Sequence, residues 1–142
     1  MTLETYDSDN IFAKIIAGEI PCHKVYEDAG TLVFMDILPA SDGHCLVIPK
    51  APSRNLLDAS DSELAACIAT AAKVSRAIMK ALDSDGVTLR QNNEAAGGQE
   101  VFHTHFHLMP RYEGQGLRVH DGSTADHPTL AATAAKIAAA IE

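Results

Sequence analysis

The stretch 103-HTHFHLMPR-111 places three histidines at alternate positions, in a chain of 142 residues that holds seven. In an extended strand, successive side chains alternate between faces. A strand from Val101 to Arg111 would put His103, His105, His107 and Met109 on one face, and Phe102, Thr104, Phe106 and Leu108 on the other. The second set is apolar enough to pack on a core. The imidazole face is therefore expected to line a cleft or to meet water.

Three chemistries compete for such a row. Partly buried, hydrogen-bonded histidines with no special role would explain one imidazole better than three. A zinc site needs each nitrogen at about 2 Å, whereas alternate residues stand roughly 7 Å apart along a strand and the outer pair roughly 13 Å. Zinc thus explains a pair, leaves one histidine over, and needs a ligand from elsewhere. In the third reading one imidazole attacks phosphorus while its neighbours hold the phosphate, whose several oxygens suit a row of donors. Just upstream, Gly97-Gly98 permits backbone N–H groups to converge on an anion. Asn92 and Gln99 add amide donors. A Gly-Gly pair alone would read as a flexible turn.

Outward from this strand the chain reads as α+β. Asn10–Ala17 is expected to form a short helix capped by Asn10 and ended by Gly18. Strands are expected at 22–27 and 31–36, joined by Asp28-Ala29-Gly30, and again at His44–Pro49. Ser60-Asp-Ser-Glu63 is a capping box for a helix running to Leu82, with Leu64, Ile68, Ala71, Ile78 and Leu82 as its apolar stripe. A strand follows at 86–92, with Val87 and Leu89 on one face. A last helix starts near Asp126 or Pro128 and carries Leu130, Ile137 and Ile141. The expected architecture is an antiparallel sheet of about five strands, one long helix and short terminal helices.

Composition bounds the function. The length suits one domain, 1–142, and 46% apolar with 21% charged residues suits a globular chain. No apolar run is long enough to span a bilayer, and the polar, acidic start MTLETYDSDN is not a signal peptide. Three scattered cysteines, Cys22, Cys45 and Cys67, suggest reduced thiols in a cytoplasmic protein. A net charge of −8 argues against nucleic acid as a partner.

The segment 92-NNEAAGGQEVFHTHFHLMPRYEG-114, with 44-HCLVIPK-50, 34-FMDILP-39 and 11-IFAKIIAGEIP-21 in the right order, resembles the histidine triad (HIT) family, in its Hint-like bacterial branch. These motifs cover about residues 8–114; the extension 115–142 lies outside them. Thr104 stands where the family usually has an apolar residue. The resemblance implies a HIT-like fold, a purine nucleotide substrate, no cofactor and a homodimer. It implies that His105 is the nucleophile, one of its ring nitrogens held by a backbone carbonyl. It attacks the α-phosphorus of a nucleoside 5′-phosphoramidate to give a covalent nucleoside monophosphate. His107 would contact phosphate, and His103 would lie beneath and pair with His44. Asn92, Gly98 and Gln99 would surround the phosphates and leaving group. Asp36 would accept from ribose, and Phe12, Ile15, Ile20, Phe34 and Ile37 would hold the base, although those five equally suit plain core.

The chain also departs from the family. Many bacterial members hold a structural zinc with a Cys-x-x-Cys that is here Asn10 to Ala13, and with a histidine that is here Pro52, so no metal is expected. Glu100 replaces a serine that touches substrate in some members; it is expected to point away or to meet a cationic leaving group. A Trp-containing tail is missing, which leaves Arg111, Arg118 and the segment 112–125 as leaving-group contacts. Three alternatives stay open: a dinucleoside polyphosphate hydrolase of the Ap4A type, a nucleotide-binding regulatory protein with little turnover, and a metal-dependent hydrolase using two of the histidines.

Overall fold

The computed structural model describes residues 2–119 and 124–142. Its elements are α1 (Ile11–Ile16), β1 (Lys24–Glu27), β2 (Thr31–Met35), β3 (Cys45–Pro49), α2 (Asp61–Leu82), β4 (Gly86–Arg90), β5 (Phe106–Arg111) and α3 (His127–Ala139). The strands form one antiparallel sheet in the order β1-β2-β3-β5-β4. The α+β architecture expected from the sequence is the observed one.

Both faces of the sheet are covered, and strand alternation sorts the side chains between them. Val33, Met35, Cys45, Val47, Phe106 and Leu108 pack against α2 and α3. Leu32, Phe34, Leu46 and Ile48 point the other way and meet Phe12 of α1. Every residue of β2 and β3 is therefore buried. The helix ends follow their capping chemistry. Asn10 accepts from the N–H groups of Phe12 and Ala13, and the Ser60–Glu63 box closes reciprocally. Asp126 accepts from Thr129 at the start of α3.

Four expectations need correction. The histidine strand begins at Phe106 rather than Val101. Upstream, Thr104 N–H donates to Ser53 O and its hydroxyl lies 2.6 Å from that of Ser53, so the chain is tied to a loop instead of a ladder. Pro49 has no N–H to offer here, and its carbonyl accepts from the His103 ring. Phe102 accordingly misses the core and lies under the Arg54 guanidinium, 4.1 Å from its centre. On α2, Ile68 is exposed, and the buried stripe runs through Cys67, Ala71, Val74 and Ala77–Ile78, small side chains that let the helix approach the sheet. On the edge strand β4, Val87 packs on the helix layer but Leu89 is exposed. Helix α3 packs within the chain, burying Leu130, Ala134 and Ile137 against α2 and β1. No described helix is long and apolar enough to cross a membrane.

Candidate active site

A cavity of about 510 Å³ opens on the α1 face of the sheet, within the size range of small-molecule sites. Phe12, Ile15, Ile20, Phe34 and Ile37 form an apolar wall, and Asp36, His44, Gly98, His105 and His107 also line it. His107 reaches it by strand geometry, and His44 from the position just before β3. His107 pairs in register with Leu46 and lies between Phe106 and Leu108, which face the other core. His105 reaches it from the bend before β5.

Hydrogen-bond partners fix the tautomers, because backbone groups have only one role. His105 Nδ1 lies 2.7 Å from His103 O, so Nδ1 carries the proton and Nε2 keeps a free lone pair. The Ala40 N–H donates to His44 Nδ1, which puts the His44 proton on Nε2. That proton is donated to His107 Nδ1 at 2.9 Å, so His107 carries its own on Nε2. His103 Nε2–H donates to Pro49 O at 2.8 Å, and its Nδ1 accepts from the Tyr6 hydroxyl at 2.6 Å. Asn10 Nδ2 in turn donates to Tyr6. The expected His103–His44 pair is thus replaced. His44 pairs with His107, and His103 is held beneath by Tyr6 and Pro49, where 1% exposure keeps it out of the cavity.

All four rings favour the neutral form, chiefly through burial, which penalises the charged form. His44 is pushed down to about 4 by burial, then by Arg90 and His105. His107 is pushed down to about 3 by burial, then by His105, His44 and Arg90. His103 and His105 are lowered too, partly offset by their bonds to backbone carbonyls. Asp36 Oδ2 lies 3.4 Å from His44 Nε2 and 4.0 Å from His107 Nδ1. With both rings neutral, these are polar contacts and not ion pairs.

The same tautomers bear on metal binding. Asp36, His44 and His107 bring three ligand atoms within 4.8 Å of one another. The His44 nitrogen that faces this centre already carries a proton, and its other lone pair is spent on Ala40 N–H. An ion there would have to displace that proton and break the backbone bond, so in this protonation state the trio is a poor set of metal ligands.

The depressed imidazoles also predict a stability profile. The unfolded chain takes up these protons near pH 6.5, while the folded chain holds His44 off to about 4. Unfolding therefore binds protons across that window, and stability is lost as pH falls through it. The urea midpoint is expected to drop steadily from pH 7 to pH 4. A flat profile would contradict buried neutral imidazoles.

Two expected phosphate contacts are bonded to the chain itself. Gln99 is buried, with its Nε2 on Arg54 O and Val101 O and its Oε1 on Glu94 N and Asn55 Nδ2. Asn92 donates to Gly98 O. Gly98 has φ 92°, and a Cβ there would meet the Asn92 amide at 3.4 Å. Both amides thus shape the Gly loop rather than line the site. Arg111 bonds Thr88 and lies away from the cavity, whereas Arg118 lines it and pairs with Asp42. Of the segment 112–125, residues 120–123 lie outside the described residues. Glu100 lines the cavity instead of pointing away.

Sequence reasoning missed three groups. Arg90 lines the cavity as the cross-strand neighbour of His107; its signal, a basic residue ending β4, needs the register to be read. Tyr6 lies before any motif. Arg54 and Asn55 hold the Glu94 carboxylate, Arg54 through two bonds of 2.7 and 3.1 Å. They sit in a loop with no periodicity.

Residues 17–114 match the HIT domain family. An Arabidopsis thaliana protein named adenylylsulfatase HINT3 is 46% identical over 109 residues, covering 77% of this chain and 55% of that protein; the chain thus spans about half the length of that relative. An adenosine 5′-monophosphoramidase, hnt1 of Schizosaccharomyces pombe, is 41% identical over 110 residues, covering 77% of this chain and 80% of that one. Among solved structures, a HIT-like protein from Bartonella henselae, described as involved in cell-cycle regulation and holding an unknown ligand, superposes with a TM-score of 0.91. It is 47% identical and covers 96% of this chain and all of that one.

Proposed function

Because the chain belongs to the histidine triad (HIT) family, we propose that it is a nucleotide hydrolase that splits the P–N bond of purine nucleoside 5′-phosphoramidates. The observation that carries this reading is the fixed His105 tautomer, a buried neutral ring with Nδ1 tethered to a carbonyl and Nε2 free at a nucleotide-sized cavity. The names of the two curated relatives agree with a nucleotide hydrolase.

In this reaction the His105 Nε2 lone pair forms a bond to the α-phosphorus and the P–N bond to the amine breaks. The departing nitrogen keeps the bonding electrons and takes the His107 Nε2 proton. His44 Nε2–H stays bonded to His107 Nδ1 and stabilises the charge left on that ring. Water next attacks the phosphorus, its proton returns to His107 Nε2, and the P–N bond to His105 breaks to release the monophosphate. Splitting one displacement into two is the advantage of a covalent intermediate. The apolar wall from Phe12 to Ile37 takes the base and Asp36 the ribose hydroxyls. His103 acts through its carbonyl and touches no substrate.

A homodimer in a cytoplasmic setting belongs to the same reading. Ile68 on α2 and Leu89 on the edge strand stay exposed in the single chain, and the three cysteines are free thiols.

The test is AMP release from adenosine 5′-phosphoramidate and from diadenosine tetraphosphate, with EDTA present. A kcat/KM at least about 10-fold higher on the phosphoramidate is expected, since extra phosphates would meet Glu100 and a net charge of −8. Faster turnover of the polyphosphate would favour the Ap4A-type alternative. Nucleotide binding with background turnover of both would favour a regulatory role. Loss of activity in EDTA would favour a metal-dependent hydrolase.

A further inference from the structure

Beside the Asp36 carboxylate, Arg90 and Glu100 bring charges of opposite sign to the cavity. Arg90 stands across the strand from His107, and its charge acts on both His107 and His44. Glu100 stands in the loop after Gly98, and its charge acts on His105. Arg118, also in the wall, is already paired with Asp42. Glu100 is exposed although it lines the cavity, so it marks the mouth, whereas Phe12, Phe34 and Leu46 are buried in the wall. It makes no hydrogen bond or ion pair with another described residue.

A phosphoryl group at His105 and His107 supplies the negative charge that Arg90 calls for. It supplies nothing for Glu100, which it repels. With the base against the apolar wall, the substituent on the phosphoramide nitrogen is the part of the substrate that points to the mouth. We infer that Glu100 selects the leaving group: the preferred substrates are nucleoside phosphoramidates whose amine carries a second, positively charged group a few bonds from the P–N nitrogen. This rests on the phosphoramidase reading above and deepens it. At an effective dielectric between the protein-surface value and that of water, opposite unit charges about 6 Å apart change a rate ratio by roughly 10-fold.

The test uses three adenosine 5′-phosphoramidates of similar size, with N-(2-aminoethyl), N-propyl and N-(carboxymethyl) substituents: a cation, a neutral and an anion. For the native chain, kcat/KM is expected to fall by about 10-fold at each step in that order. Glu100→Gln should bring the cation-to-neutral ratio close to one, and Glu100→Lys should place the anion first. These ratios are internal to each variant, so a general loss of activity does not move them. Raising ionic strength should compress the native ratio, because the pair sits at the mouth. Equal rates on all three compounds, or a native ratio retained in Glu100→Gln, would overturn the inference while leaving the phosphoramidase intact. No turnover of the N-propyl compound or of the unsubstituted phosphoramidate would instead overturn the underlying reading.

Discussion

Replacing His105 by alanine is expected to lower kcat on adenosine 5′-phosphoramidate by about 10⁴-fold or more, while AMP affinity stays within a few-fold. The imidazole packs edge to face on Phe12 at 5.0 Å, but Phe12 is also held by Phe34 at 5.4 Å, so the base pocket survives. What is lost is, among the described residues, the one ring at the cavity whose Nε2 is unprotonated. His107 does not replace it, because His44 Nε2–H occupies its Nδ1 and its Nε2 carries a proton. Removing a covalent nucleophile from a group of residues that act together costs about as much as removing the whole group. Turnover by single-turnover AMP release and affinity by titration should therefore separate by orders of magnitude. A variant that turns over within 10-fold of the native chain would exclude the covalent step through His105.

The second large effect lies away from the chemistry. Asn55→Ala is expected to cost about 2–4 kcal/mol of stability, since three hydrogen bonds, one of them to a carboxylate, are lost together with the packing of a buried side chain. Asn55 is 0% exposed. Its Nδ2 donates to Glu94 Oε2 at 2.6 Å and to Gln99 Oε1 at 3.0 Å, and its Oδ1 accepts from Leu57 N–H. It thereby clamps both ends of the loop that carries Gly98 into the cavity. Glu94 also holds a left-handed φ of 64°, a conformation that costs a non-glycine residue on the order of 1–3 kcal/mol and persists only where its surroundings enforce it. At roughly 3 °C per kcal/mol for a chain of this size, the melting temperature should fall by about 6–12 °C. Calorimetry checks this, and a shift below about 2 °C would show that the clamp does not hold the loop.

Much of the architecture could be read from short windows. Asn10, Ser60 and Asp126 cap the helices they were expected to begin, because a cap is a contact between residues two or three apart. The short apolar runs at 31–35 and 45–49, bounded by turn and proline signals, mark strands. Size misled the reading of α2, where Ile68 is exposed and Cys67 is covered. Alternation also failed across 101–105, where side-chain bonds to Ser53 and Pro49 replace the ladder.

The sequence by itself determined the helix starts, four of the five strand segments and part of the cavity lining. Asp36, His44, His105, His107 and the five apolar wall residues all line it. Tertiary structure decided which histidine meets which and where each proton sits. The His44–His107 bond joins residues 63 apart, and Asn55–Gln99 joins residues 44 apart. Arg90 enters the site only through the β4–β5 register. Local sequence encodes periodicity and caps because those arise within one or two turns of chain. A tautomer is set by whichever donor or carbonyl the folded chain brings to each ring nitrogen, and that partner has no signature in the residues beside the histidine.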